Sequence, residues 1–553
     1  MKNYREIAEE WLKGDFDPQT KARVAELRDN DPAGLEDAFY KNLEFGTGGL
    51  RGIMDAGTNR MNRYTVGMAT QGLANYMKSH ADGKALSACV SYDSRNNSEL
   101  FARITADVLS NNGIHVYLFD GIRPTPELSY SIRAKGATAG IMITASHNPK
   151  EYNGYKVFWS DGGQITSPVD KDIVAEVAKI TGPSMVKFSA SGATGGIEIM
   201  GKEMDEMYLN DILSLTLSPE ARAAHRDIKI VYTPLHGCGV RLVPECLARL
   251  GFSNVFHVPE QDISDGNFPT VVSPNPEEPA AMKMAIEKAD EVGADIVMAT
   301  DPDADRMGIA VRDNDGKMVL FNGNQTASML TYYILTRWKE LGRLGEGKYC
   351  VKTIVTTELM ADICKSFGVK CYNVLTGFKY IADVVKAHEL TGEFICGGEE
   401  SYGFNVGQFV RDKCAQVSCS MVAECAAWAA EQGLTLYQLM DKIYAEYGRR
   451  LESMVYIVRS GKSGAEEIQK IMAGYRAMPP AELAGSKVVK VIDYDRPDET
   501  GLPKSNVLQF FSEAGDVVTV RPSGTEPKIK FYFGAKGDDA AAKIERLKAQ
   551  FVN

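Results

Sequence analysis

The sequence predicts an α/β protein: three related α/β units with mixed, mostly parallel sheets, followed by a smaller α+β unit. Two patterns carry this expectation. A strand–loop–helix–strand unit recurs three times, and the C-terminal stretch abandons it for strands in close succession. The length agrees, because 553 residues exceed one ordinary domain.

Along the chain, residues 1–40 carry apolar residues at helical spacing among many charges. A glycine-rich stretch, FGTGGLRG, follows at 45–52. Residues 86–92 (LSACVSY) read as a buried strand, 97–112 as a helix and 114–119 (IHVYLF) as the next strand. The unit returns at 228–233 (IKIVYT), a helix over 240–250 and a strand over 254–258. It returns again at 348–357 (KYCVKTIVTT), a helix ending at 367 and a strand over 369–375. After these blocks, VVKVIDY, NVLQFF, DVVTVRP and IKFYFGA read as strands without long helices between them, closed by a charged terminal helix. MPPAELA at 478–484 reads as a loop. The expected units are 1–205, 206–322, 323–450 and 451–553.

Composition narrows the function. Hydrophobic residues make up 44% and charged residues 24%, ordinary for a globular protein. The net charge of -11 argues against nucleic acid or an anionic membrane as partner, since either favours a basic surface. It leaves room for a small anionic substrate held by a few local Arg and Lys. The 10 cysteines form no C-x-x-C pair, and Cys89, Cys246 and Cys364 sit in apolar segments as buried thiols. The opening MKNYREIAEEWLKGD has no signal-peptide core, and no apolar run is long enough to span a bilayer. A reduced, cytoplasmic protein is the expectation.

Four loops carry chemistry. In GADIVMATDPDADRMGIAVRD a strand ends near Thr300 and another begins near Met307. Asp301, Asp303 and Asp305 alternate between them, and three carboxylates at this spacing can converge on one hard cation. An EF-hand does not fit, because its sixth position is Arg306 and its twelfth Arg312. In IMITASHNPKEYNGYKVF a strand runs into Thr144–Pro149, where open α/β sheets place ligands. Ser146 suits a nucleophile or phosphate carrier, and Lys156 can return to the same pocket as an acid/base. His147 is expected to be a poor base for Ser146, because neighbouring side chains on an extended chain face opposite ways. No G-x-S-x-G elbow supports a hydrolase. In ICGGEESYGF, Glu399, Glu400 and Ser401 follow a short strand and suit sugar hydroxyls. In VTVRPSGTEPKIKFY, Arg521, Ser523, Gly524, Thr525 and Lys528 make a donor-rich phosphate cradle. GCGVRL at 237–242 and the SGKSG at Lys462 only half-match nucleotide motifs, so neither NAD nor ATP is expected.

Together these loops resemble the α-D-phosphohexomutase family of phosphoglucomutases and phosphomannomutases. The resemblance rests on TASHNP (144–149), DPDADR (301–306), GEES (398–401) and RPSGT (521–525), in family order and over nearly the whole chain. FGTGGLRG with TGFKY at 376–380 is most similar to the branch of bacterial phosphoglucomutases and phosphopentomutases. The resemblance implies four domains around one central cleft.

It also implies roles. Ser146 becomes the phosphoserine, and Asp301, Asp303 and Asp305 hold Mg²⁺ with an oxygen on Ser146. Arg51 and Lys156 match basic groups beside it, and His147 matches the histidine of its loop. Arg306 points on toward substrate. Thr376, Gly377 and Lys379 fall in a sugar-selecting loop, Glu399 and Ser401 match the pair that holds sugar hydroxyls, and Lys413 resembles a further contact. Arg521, Ser523, Gly524, Thr525 and Lys528 match the distal phosphate site. One departure stands out: some phosphomannomutases carry a His where this chain has Gly403. The implied partner is a small sugar phosphate, first glucose phosphate, then pentose or mannose phosphate, with glucose 1,6-bisphosphate as activator. A phosphatase and a non-catalytic sugar-phosphate-binding protein are the competing classes. No oligomeric state is assigned.

Overall fold

The computed structural model describes residues 3–45, 49–189, 192, 194–459, 461–523 and 528–552. Three helices, Tyr4–Lys13, Pro18–Asn30 and Pro32–Phe39, open the chain. Asn3, Asp17 and Asp31 cap them by accepting backbone N–H groups.

Four sheets follow. The first runs Gly49–Ile53, Tyr152–Trp159, Ala139–Ile143, Ser87–Tyr92, His115–Phe119 and Ile197–Met200. Its last four strands pair in parallel, and Tyr152–Trp159 is antiparallel to both neighbours. The second runs Met318–Phe321, Met307–Arg312, Ile296–Thr300, Ile230–Thr233 and Val255–His257, with the last three parallel. The third runs Lys370–Val374, Lys348–Thr353, Glu393–Gly398 and Phe404–Val406, with only the last pairing antiparallel. These are the three expected α/β blocks. Their central strands are buried on both faces, as parallel strands covered by helices must be, and those of the first two sheets are almost wholly apolar.

The fourth sheet is wholly antiparallel: Arg450–Val458, Lys528–Lys536, Val517–Pro522, Leu508–Ser512, Ser486–Asp493 and Glu482–Leu483. Here the structure adds to the sequence reading. A long helix, Gly461–Ala477, interrupts the run of strands and buries Ile468 and Met472 against the sheet. Within 478–484, Glu482–Leu483 is a short edge strand.

The helix Ala415–Glu431 is buried along nearly its whole length and joins the largest apolar cluster to the helix Gly239–Arg249. It carries one buried carboxylate, Glu424, which accepts from the backbone N–H of Leu217 (3.0 Å) and Ser218 (2.9 Å) and from Arg222 Nε (3.0 Å). This anchors the connection between the first two sheets on a helix packed beside the third. Glu424→Ala leaves two amides without their acceptor and removes the counter-charge of Arg222, which keeps only its donation to the Leu250 carbonyl among the described residues. It is expected to cost about 3–5 kcal/mol, seen as an unfolding temperature lower by several degrees in a thermal melt; an unchanged melt would contradict this account of the anchor.

Candidate active site

The chemical loops of the first three units sit where their sheets end. Thr144–Asn148 follows the strand Ala139–Ile143, Asp301–Arg306 follows Ile296–Thr300, Thr376 and Gly377 follow Lys370–Val374, and Glu399–Ser401 follow Glu393–Gly398. All are carboxyl ends of parallel strands, the edge at which open α/β sheets expose backbone and polar side chains to a ligand.

The centre is an acidic cluster. Asp301, Asp303 and Asp305 are buried, and one carboxylate oxygen from each lies within 4.8 Å of the others. Ala304, at φ +47°, curls the loop so that the alternating carboxylates converge. Asp301 Oδ1 accepts the backbone N–H of Asp305 (3.1 Å) and Arg306 (3.0 Å), which closes the turn on itself. Ser146 Oγ donates to Asp301 Oδ2 at 2.7 Å. Asp303 Oδ2 accepts from Lys156 Nζ (2.7 Å) and Thr125 Oγ1 (2.6 Å). Lys413 Nζ lies 3.1 Å from Asp305 Oδ2.

Crowding sets the protonation. Burial, then repulsion from Asp305 and Asp303, pushes the Asp301 carboxyl well up. Burial acts the same way on Asp303, but the ammonium of Lys156 outweighs it and holds that carboxyl below its usual range. Burial works against the charge on Lys156 and Lys413 too, yet the neighbouring aspartates keep both ammonium groups charged. Among the described residues, Asp303 Oδ1 and Asp305 Oδ1 are buried without a hydrogen-bond partner. Orphaned carboxylate oxygens beside a third carboxylate are ligand atoms that a hard divalent cation would satisfy. The residues present therefore fit a metal ion.

His147 departs from expectation. Ser146 has φ +52°, so the chain is not extended there. The two side chains meet, with His147 Nδ1 3.2 Å from Ser146 Oγ. Burial, then the charges of Arg306, Arg51 and Lys156, hold the imidazole well below its ordinary pKa and hence neutral. Arg51 reaches the same loop, donating to Asn148 Oδ1 at 3.1 Å.

A cleft of about 440 Å³ opens beside this cluster, lined by His147, Arg306, Thr376, Ser401 and Arg521 among others. Arg306 is held in place by Glu277 at 2.5 Å. Gly377, at φ +124°, donates its N–H to Glu399 Oε1 (3.0 Å), which ties the TGFKY loop to the GEES loop. Glu399 is buried, whereas Glu400 and Ser401 line the cleft. Lys379 packs 5.2 Å from the Tyr380 ring, and Lys528 packs 5.2 Å from that of Tyr456. Ser523 N–H donates to Lys528 C=O at 2.8 Å, closing the Arg521 hairpin; Gly524 and Thr525 lie outside the described residues. Gly403 has a physical reason: a Cβ there would lie 2.0 Å from Lys413 Cδ. The missing side chain leaves room for the lysine stem that delivers Nζ to Asp305.

Sequence reasoning missed Thr125, Glu277 and the pair Asp93 and Arg95. A signal existed for the last two, since they follow the strand Ser87–Tyr92 at the same sheet edge as Ser146.

Comparison with known proteins finds a match in every unit. Profiles of phosphoglucomutase/phosphomannomutase α/β/α domains I, II and III match residues 42–183, 206–316 and 322–447, and the C-terminal domain matches 454–553. The chain belongs to the phosphoglucomutase/phosphomannomutase family. Within it, the chain is 35% identical to a phosphoglucomutase of Staphylococcus aureus strain MRSA252 over 551 residues, 97% of each chain. It is 36% identical to that of strain MSSA476, over 92% of this chain and 93% of that one. Two solved structures share the fold. Paramecium pp63/parafusin, a phosphoglucomutase in an open form, gives a TM-score of 0.72 at 17% identity, covering 93% of this chain and 95% of that one. A putative phosphomannomutase from Thermus thermophilus gives 0.70 at 21%, covering 92% and 99%.

Burial, only partly relieved by Lys413, pushes the Glu399 carboxyl up to about 7. A raised folded-state value stabilises below the ordinary one, 4.5, and that contribution is lost as pH rises through about 7. Glu399→Gln keeps an acceptor for Gly377 and removes the titration. Relative to this variant, the native chain is expected to lose up to about 3 kcal/mol between those two pH values. Paired thermal melts across that range check it; a constant difference would contradict the assignment.

Proposed function

We propose that the protein is a Mg²⁺-dependent phosphohexomutase that interconverts glucose 1-phosphate and glucose 6-phosphate through phosphoserine at Ser146 and a bisphosphorylated sugar. The observation that carries this reading is the hydrogen bond from Ser146 Oγ to Asp301, within a buried acidic cluster facing a cleft lined with Arg306 and Arg521. Glucose as the sugar follows the phosphoglucomutase relatives at 35–36% identity.

In the forward direction the phosphoryl group on Ser146 passes to the free hydroxyl of the bound sugar phosphate. The bond from Ser146 Oγ to phosphorus breaks as the bond from the sugar oxygen forms. The sugar, now a bisphosphate, turns in the cleft, and its other phosphoryl group returns to Ser146. Such transfer depends on position and charge stabilisation more than on covalent help. Asp301, Asp303 and Asp305 would hold a divalent cation, which would supply positive charge toward the phosphoryl oxygens. Lys156 and Arg51 add fixed positive charge on the other side of the loop. In the forward step the proton of the sugar hydroxyl ends on Ser146 Oγ, and when a phosphoryl group returns to Ser146 neutral His147, 3.2 Å away, is the group placed to accept that proton. Arg521, Ser523, Gly524, Thr525 and Lys528 cradle the phosphate that is not reacting, and must accept either end of the sugar. Arg306, Thr376, Gly377, Lys379, Ser401 and Lys413 orient the ring between the two sites, and the expected sugar contact Glu399 acts from behind by bracing the Gly377 loop. Glucose 1,6-bisphosphate acts as activator by charging Ser146. The ten free thiols suit a reducing compartment, and we place the enzyme in the cytoplasm.

The test is a mutase assay with glucose 1-phosphate, Mg²⁺ and a trace of glucose 1,6-bisphosphate. Ser146→Ala is expected to lower turnover by at least about 10³-fold, and a chelator should silence the native enzyme. Normal turnover by Ser146→Ala would end this reading, and release of inorganic phosphate at the mutase rate would make it a phosphatase.

A further inference from the structure

Ser146 holds a left-handed φ that L residues seldom adopt, so something must stabilise it. Both of its peptide groups are tied to one buried ion pair. Its N–H donates to Thr144 Oγ1 (2.8 Å), and the Thr144 hydroxyl donates to Asp93 Oδ2 (2.6 Å). Its C=O accepts from Arg95 at 2.5 Å. The same guanidinium donates to the carbonyls of Asn148, of Pro149 (2.9 Å) and of Tyr152 (3.1 Å), and its Nε lies 3.3 Å from Asp93. Arg95 is 3% exposed. One fork therefore gathers four carbonyls of a single loop, which an ammonium on a flexible stem does not reproduce.

A segment of the second unit covers that guanidinium. The ring of Phe268 lies 5.0 Å from Arg95 Cζ, and Phe268 is itself 2% exposed at φ +47°. On either side, Asn96 Nδ2 donates to Asn267 Oδ1 (3.0 Å) and Ser273 Oγ donates to His147 C=O (3.0 Å). A Cβ on Gly266 would meet Asn96 N at 2.2 Å, so the two backbones touch. His236 secures the segment from behind, through Ile263 C=O and Thr270 Oγ1, both at 2.8 Å.

We propose that Arg95 is a positioning residue for phosphoryl transfer, and that residues 263–273 form a clasp, centred on Phe268, that keeps its guanidinium on the Ser146 loop. The pair Asp93 and Arg95 aims Ser146 Oγ at Asp301, and the clasp makes that aim depend on the contact between the first two units. The inference rests on the phosphoserine reading above.

The test compares the full-length native chain with Arg95→Lys and Phe268→Leu. Phosphate on Ser146 is measured by intact mass after incubation with glucose 1,6-bisphosphate. Transfer from the charged enzyme to glucose 1-phosphate is then followed in a single turnover, with kcat and KM at steady state. A misplacement of about 1 Å costs on the order of 10²-fold, so Arg95→Lys should slow the single turnover by about that factor with KM within about twofold. Phe268→Leu, which keeps the apolar cover but loses the ring face, should slow it about 3–10-fold. If Arg95→Lys does not fold, Phe268→Leu decides. Rates within twofold of native in the folded variants, or losses confined to KM, overturn the inference. A native chain that takes up no phosphate on Ser146 overturns the phosphoserine reading instead, and this inference with it.

Discussion

Three carboxylates within 4.8 Å of one another repel, and burial strips away the water that would screen them. The protein answers with partners from different sheets. Ser146, Thr125 and Lys156 come from the first unit, and Lys413 comes from beside the third. The acidic loop belongs to the second. Compensating its charge thus brings three parts of the chain to one point, and among the described residues two carboxylate oxygens still have no hydrogen-bond partner. A loop built to be stable alone would have satisfied them. A hard divalent cation would satisfy them, and the cleft opens beside the loop at His147 and Arg306.

Around this centre, backbone geometry selects what can approach. Ser146 and Ala304 take left-handed φ values, and Gly403 takes no side chain, so that a hydroxyl, a carboxylate and a lysine stem can share one small volume. Each of these choices works against local stability. The surrounding helices and parallel strands supply the rigidity that holds them, while the fourth sheet brings Arg521 to the far wall of the cleft. That sheet meets the third through Gln509 Nε2 donating to Ile354 C=O (2.7 Å) and Arg450 pairing with Asp362 (2.7 Å).

Much of this was legible in the sequence because the informative patterns are local. The strand–helix alternation, the Asp-x-Asp-x-Asp spacing and the Ser-His-Asn loop each fit within a few residues. The geometry of His147 was not, since it depends on a left-handed φ at Ser146 that composition does not announce. Arg95, Thr125 and Phe268 stayed hidden because their partners are far along the chain: Thr125 meets a residue 178 positions away. The helix Gly461–Ala477 is hard to read because its glycines dilute the apolar period, and burial of Ile468 and Met472 decides the matter. The split between Glu399, which braces the Gly377 loop, and Glu400, which lines the cleft, is likewise a property of packing.

The central claim is that the acidic loop and Ser146 form one metal-centred unit. Crystals of the full chain, charged on Ser146 and soaked in Mn²⁺, test it through the anomalous scattering of the ion. The account expects one strong peak bounded by carboxylate oxygens of Asp301, Asp303 and Asp305 and by an oxygen on Ser146. An empty loop, with Lys156 and Lys413 still closed onto Asp303 and Asp305, would contradict it: the lysines alone would then balance the cluster.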